Sequence, residues 1–134
     1  MKKTIIFISF SCLSLLIAFV IGISDHPPGI LLCYASAASL ILAFVHKWRR
    51  LRSFLILLGV SIAGFLMFVF LHNFFYALAE YSSNIIILKI LFEFLHVITF
   101  ITAIFLFPAA LFVAIVAILI IVSLGFLTKQ ISKI

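Results

Sequence analysis

The amino-acid sequence predicts an all-α polytopic membrane protein, folded as a compact bundle of four transmembrane helices. Two observations predict this fold class. Of the 134 residues, 68% are hydrophobic and only 9% are charged, and the mean hydropathy is +1.54. Soluble domains are about 45–50% apolar and about 25% charged, so a soluble globule of this length would leave too much hydrocarbon in water. The apolar residues also form runs near the length of about 20 residues that a helix needs to cross a bilayer.

The first two predicted spans are residues 4–23 and 30–46. The first apolar run exceeds the roughly 7–15 residues of a signal peptide, so we expect it to be retained. The break between the spans, residues 24–29, contains two prolines and a glycine. Proline is tolerated in the first turn of a helix, so this break predicts a short turn that leads directly into the second span.

The third predicted span covers residues 53–71, with an extension to about residue 80 in a longer version. The remaining apolar stretch, residues 85–127, has two interpretations. It is either one long span with an interfacial start and a kink at Pro108, or two spans joined by a turn near Pro108, which gives five spans in total. A turn inside the bilayer without polar partners is costly, and we therefore favour four spans.

Lysine and arginine residues predict the orientation of the chain. Lys2 and Lys3 precede the first span, and the turn after the second span contains further basic residues around Trp48. Two crossings return the chain to the same side, so the positive-inside rule places the N-terminus in the cytoplasm. With four spans the C-terminus is also cytoplasmic. The absence of a cleavable signal favours the cell membrane (a plasma or prokaryotic inner membrane).

The basic turn is also a candidate site for contacts with the lipid bilayer. Its candidate residues are Lys47, Trp48, Arg49, Arg50 and Arg52. A turn this short between two spans provides no domain that could hold a nucleic acid, so we expect no nucleic-acid partner. Each basic residue near the surface instead contributes about 1 kcal/mol of attraction to anionic lipid headgroups.

A second candidate site lies toward the opposite, outer side. Lys89, Glu93 and His96 are spaced by four and three residues, which places them on one helix face. Ionisable groups near a membrane usually pair or face water, so this face predicts either a proton or ion relay or a polar stripe among the headgroups. His72, Tyr76 and Glu80 follow each other at intervals of four residues. The candidate relay cluster therefore comprises Lys89, Glu93, His96, His72 and Glu80.

His72 and His96 are also weak candidates for haem or metal binding, since they could meet at the outer ends of neighbouring helices. A bundle metal site would repeat the Glu-x-x-His motif and add two further glutamates. Here the motif occurs once, at Glu93 and His96. We therefore predict no metal and no cofactor.

Three hypotheses for the function remain. No Gly-rich phosphate loop, nucleophile elbow or zinc-protease motif occurs, so we expect no enzymatic activity. The first hypothesis is an accessory or scaffold subunit that acts through helix packing, with itself or with a larger membrane-protein partner. Small residues four apart allow such packing, and they occur at Ala35 and Ser39, Gly59 and Ala63, and Ala110 and Ala114. The alternatives are a small ion- or proton-coupled transporter or channel component that uses the outer cluster, and a haem- or metal-binding protein through His72 and His96.

Overall fold

The computed structural model of the protein describes residues 2–23 and 26–131, with side chains as far as residue 125. These residues are helical apart from short connections. The helices are α1 (Lys2–Ile21), α2 (Pro27–Val45), α3 (Leu51–Tyr81), α4 (Ile86–Ile101) and α5 (Phe107–Ile131), and a π-helical turn, Thr102–Leu106, joins α4 to α5. Four segments are long and apolar enough to cross a membrane: α1, α2, α3 and the continuous segment from α4 into α5.

The chain remains helical on both sides of Pro108, so the turn of the five-span alternative is not present in the described residues. A proline inside an α-helix lacks an N–H donor and its ring collides with the carbonyl group four residues earlier. The π-helical turn just before Pro108 widens the helix at this point, and the Phe107 N–H donates to the carbonyl oxygen of Thr102, five residues back. The helix thus accommodates the proline by a local widening, as π-bulges commonly do.

The helices pack in an open series. Within the described residues, α1 packs against α2 alone, α2 also packs against α5 and the π-helical turn, and α3 packs along α4, the π-helical turn and α5. The order of neighbours is therefore α1, α2, α4–α5, α3, which is more open than the predicted compact bundle. The cluster of buried apolar side chains is correspondingly small and consists of Val45, Phe54 and Val113, where α2 ends and α3 begins.

The turn between α1 and α2 depends on two glycines. Gly22 ends α1 with a φ of +94°, and its N–H donates to the carbonyl oxygen of Ala18 at 3.0 Å. A left-handed glycine with this bond is a common helix C-terminus. Helix α2 begins at Pro27, earlier than the predicted span, because a proline at the first helical position is already set to the helical φ. Gly29 therefore lies inside the first turn of α2, where it contacts the Gly22 carbonyl group.

The hairpin formed by α3 and α4 extends beyond the hairpin formed by α1 and α2. The rings of Tyr34 and Phe105 lie 5.2 Å apart, which fixes the level of α2 relative to the α4–α5 segment. Tyr34 lies seven residues after Pro27, so Ile98, seven residues before Phe105, is level with the start of α2. The residues of α4 before Ile98 number twelve and span about 18 Å beyond that level. We call residues 73–97 the hairpin tip.

Candidate functional site

His72 and His96 form a stacked pair at the base of the hairpin tip. The ring centroids of His72 on α3 and His96 on α4 are 4.1 Å apart and the planes are inclined by 24°. The Nδ1 atom of each ring lies 3.3 Å from the backbone carbonyl oxygen of the other histidine. A carbonyl oxygen only accepts hydrogen bonds, so each Nδ1 carries the hydrogen and donates it to the opposite helix. The arrangement is a reciprocal link between the two helices.

Aromatic residues flank this histidine pair on both sides. The Phe100 ring lies 5.0 Å from the His72 ring, and the Tyr76 ring lies 5.4 Å from the His96 ring. Both histidines are half-buried. The structure therefore brings together the two histidines that the sequence singled out, and it adds Tyr76 and Phe100 as their neighbours.

The stacked arrangement does not fit a haem or zinc site. A haem iron with two histidine ligands lies between rings that approach it from opposite faces of the haem, whereas these rings lie face to face. A zinc site takes at least three protein ligands, and the described residues contain no group of three or more His, Cys, Asp or Glu side chains that could hold a metal ion. The pair is suited to holding α3 and α4 together.

The remaining members of the predicted relay cluster lie apart from the histidine pair. The Lys89 Nζ atom lies 3.8 Å from Glu93 Oε1, and these side chains are 46% and 56% exposed. No hydrogen bond or ion pair joins Glu93 to His96 in the described part of the chain, because the His96 ring is directed to α3. Glu80 is exposed near the end of α3. The predicted three-residue face is thus divided into an exposed ion pair, which contributes little to stability, and a half-buried link between helices.

The first hairpin contains a similar reciprocal link that the sequence analysis missed. Ser11 Oγ donates to the Ser36 carbonyl oxygen and Ser36 Oγ donates to the Ser11 carbonyl oxygen, each at 2.9 Å. Ser39 Oγ donates to the Phe7 carbonyl oxygen at 3.0 Å. A signal was present in the sequence, since serines occur within both of the first two predicted spans. Each hairpin therefore contains a reciprocal pair of polar side chains that bond the opposite backbone, and in the first hairpin Ser39 adds a third such bond.

The three small-residue pairs differ in what covers them. Ala110 and Ala114 are buried in the interior, and Ser39 is used in the contact with α1. Gly59 and Ala63 are exposed on the outer surface of α3, and a Cβ atom added at Gly59 would meet nothing within 4 Å. Of the three pairs, this one is not covered by another helix of the described structure.

The basic turn borders a cavity of about 560 Å³ at the opposite end of the molecule from the hairpin tip. We call it the basic cavity, and it is lined by Lys2, Lys3, His46, Lys47 and Arg49. Of the predicted lipid-contacting residues, Lys47 and Arg49 line this cavity. Trp48 packs edge-on against Phe54, with ring centroids 5.7 Å apart. Arg50 and Arg52 are exposed outside it.

Comparison with known proteins gives no match: no protein-family model, no curated protein and no solved structure is significantly similar to this chain. The functional argument therefore depends on the geometry of the described residues. In that geometry the polar side chains of the spans mainly bond backbone groups, either on their own helix or on the neighbouring one. These hydrogen bonds join neighbouring helices or lie within one helix.

Proposed function

We propose that this protein is a non-enzymatic accessory or scaffold subunit of the cell membrane, which it crosses four times with both termini in the cytoplasm. In this proposal the protein contacts a membrane-protein partner through the hairpin tip. The observation that supports it is the apolar surface of the tip, which lies beyond the level of the first hairpin.

The length of the first hairpin indicates where the bilayer lies. Helix α1 has 20 residues, which span about 30 Å, the thickness of the hydrocarbon core. A bilayer that covers α1 and α2 leaves the hairpin tip in the headgroup region and beyond it. Large side chains of the tip are nevertheless exposed, among them Tyr81 at 90% and Ile87 at 79%. Exposed apolar patches of this kind mark interaction sites.

The geometry supports the transporter alternative less well. A proton relay needs titratable groups within hydrogen-bond reach of one another. Glu93 instead pairs with Lys89 on the exposed side of α4, and the histidine pair bonds backbone carbonyl groups. These contacts favour a structural role for the predicted cluster.

The orientation is tested by the location of the C-terminus. Two reporters are fused after Ile134, one that is active only in the cytoplasm and one that is active only outside the cell. We expect the first to be active and the second to be inactive. The physical reason is that four crossings return the chain to the side of Lys2 and Lys3, which the positive-inside rule keeps in the cytoplasm. Activity of the external reporter alone would contradict the four-span orientation.

The subunit proposal is tested by site-specific photocrosslinking in intact membranes. A photoreactive residue at Ile87 on the tip is expected to give a protein adduct of one discrete mass. The matched control is Leu16, an exposed aliphatic residue in the second half of α1 that faces lipid in this proposal. It should give no discrete protein adduct, because acyl chains surround it.

The Ile90→Asp variant supplies the second control. Ile90 is also exposed on the tip, and a charge there should abolish the adduct from Ile87. An adduct with twice the mass of the chain would identify a second copy as the partner, and a larger adduct would identify another protein. Equal labelling of lipid from Ile87 and Leu16, with no protein adduct from either, would contradict the proposal.

A further inference from the structure

The basic cavity is formed where the start of α1 meets the end of α2. Four of its lining residues carry a positive charge, namely Lys2, Lys3, Lys47 and Arg49, and the fifth is His46. No acidic residue lines the cavity, and the one ion pair of the described residues joins Lys89 to Glu93 on the other side of the molecule. The positive charges at this end are therefore balanced by no carboxylate of the described chain. A cavity of about 560 Å³ lies within the range of small-molecule sites, about 300–1,000 Å³.

An apolar groove adjoins the basic cavity. It has a volume of about 270 Å³, lies between α2, α3 and α5, and is lined mainly by apolar side chains, including Leu42, Trp48 and Ala117. His46 lines both spaces, so the groove and the cavity meet at this residue. We call this second space the apolar groove.

Contacts on its own helix and on α1 hold His46 in place between the two spaces. Its Nδ1 lies 3.0 Å from the carbonyl oxygens of both Leu42 and Ala43, and its ring packs 5.7 Å from that of Phe7. Because Nδ1 donates to these carbonyl oxygens, the Nε2 atom is left to interact with a ligand. A polar group held in a fixed position therefore lies at the border between the cavity and the groove. A ligand with a polar part and an apolar part could bind across this border, with its polar end near His46.

We propose that the two spaces together form a binding site for one anionic phospholipid. The headgroup phosphate occupies the basic cavity, where Lys47 and Arg49 provide charge-assisted hydrogen bonds, and part of an acyl chain occupies the apolar groove. A soluble phosphate compound would satisfy the cavity but leave the groove empty. A lipid satisfies both, and the spans already place the site at the level where headgroups and acyl chains meet.

The test measures lipid binding by the purified, delipidated full-length protein in detergent micelles, using native mass spectrometry. The probes are phosphatidylglycerol and phosphatidylcholine with the same acyl chains. The Lys47→Gln/Arg49→Gln double variant should raise the Kd for phosphatidylglycerol about 30-fold, the factor expected for the loss of two basic contacts. Phosphatidylcholine, whose choline group offsets the charge of its phosphate, should bind more weakly than phosphatidylglycerol to the unchanged protein, and its Kd should rise by a smaller factor in the variant.

The chain offers a control variant with the same net charge. Arg50→Gln/Arg52→Gln removes two positive charges from the same turn, but these residues lie outside the cavity. It should change the Kd for phosphatidylglycerol by less than about threefold, since these two side chains do not line the cavity and act on a phosphate there only through charge screened by solvent. Equal effects of the two double variants would mean that the turn attracts anions only through its overall charge, and would overturn the proposal.

The groove is tested separately by filling it. Ala117→Leu places extra methyl groups in the groove and should raise the Kd for phosphatidylglycerol about tenfold, which corresponds to roughly two displaced methylene groups. The matched control is Ala63→Leu on the exposed surface of α3, which should leave the Kd unchanged. An unchanged Kd for Ala117→Leu, or full displacement of the lipid by inorganic phosphate, would assign the cavity to a soluble anion and overturn the lipid site.

Discussion

Replacement of Gly29 by alanine is expected to lower the free energy of unfolding by about 3 kcal/mol or more, the upper end of the range for overpacked sites. A Cβ atom at this position would overlap the carbonyl oxygen of Gly22 and lie 3.0 Å from its carbonyl carbon. Both of these are backbone atoms. A side chain in the way could rotate aside, but here one helix end has to move away from the other.

Two features of the turn prevent that movement. Gly22 is held in the left-handed region, at a φ of +94°, by its bond to Ala18. Pro27 and Pro28 fix φ in the first turn of α2. The strain of an added methyl group is therefore transferred to the α1–α2 interface, where the hydrogen bonds of Ser11 and Ser36 require close approach.

The measurement is reversible unfolding in mixed micelles, followed by the loss of helical circular dichroism as denaturing detergent is added. The matched control is Gly59→Ala, the same chemical change on α3, where a Cβ atom would meet nothing within 4 Å. Alanine is favoured over glycine in a helix by about 0.5–1 kcal/mol, so the control should be neutral or slightly stabilising. Equal stabilities of the two variants would show that α1 and α2 do not approach closely at Gly29.

The features of this fold that could be predicted from the sequence are the local ones. Uninterrupted apolar runs predict the spans, and the Pro27–Pro28–Gly29 sequence predicts the first turn because proline and glycine restrict or release φ in known ways. The Lys89–Glu93 pair follows from a spacing of four residues on one helix. In each case the interactions that determine the structure are between residues that are close together in the sequence.

The contacts between helices could not be predicted in the same way. In α1 and α3, apolar residues surround the helix almost evenly, so polarity does not indicate which face packs against a neighbour. Membrane helices associate through shape and isolated polar groups, without a hydrophobic driving force. The reciprocal bonds of Ser11 with Ser36, and the open series of helices, depend on the relative level of segments that are distant in sequence.

The location of the basic cavity illustrates the same limit. The sequence predicts that Lys47 and Arg49 lie at the membrane surface near Lys2 and Lys3, because two spans separate them. It does not predict that His46 turns toward Phe7 and lies between a cavity and a groove. That arrangement depends on where α5 packs against α2, and α5 is encoded more than 60 residues later.

The second large effect is expected at the histidine pair. His96→Ala should lower the free energy of unfolding by about 2–4 kcal/mol, because it removes a ring from an aromatic stack, a hydrogen bond to the His72 carbonyl group and buried volume. His72→Ala should have a similar effect. The double variant should be more stable than the sum of the two single effects predicts, by a coupling energy of about 1–2 kcal/mol.

A double-mutant cycle in the micelle unfolding assay measures this coupling, and a second cycle distinguishes its two sources. His72→Phe and His96→Phe keep stacked rings but remove both Nδ1 donors. A coupling that persists in this cycle therefore arises from the hydrogen bonds, and a coupling that disappears arises from stacking. The control pair is Ser11→Ala and His72→Ala, which lie on different hairpins and should give additive effects. Coupling between His72 and His96 no larger than the additivity error of about 0.3–0.5 kcal/mol would contradict the stacked geometry.

The result also bears on the hairpin tip, because the histidine pair is the link at its base. If the pair holds α3 and α4 together, His96→Ala should loosen the tip while leaving the first hairpin intact. Amide hydrogen exchange should then rise at residues 73–97 and stay unchanged at residues 5–20, since α1 does not pack against α3 or α4 in the described structure. A rise of equal size in both regions would mean that the molecule unfolds as one unit. The hairpin tip would then not open independently of the first hairpin.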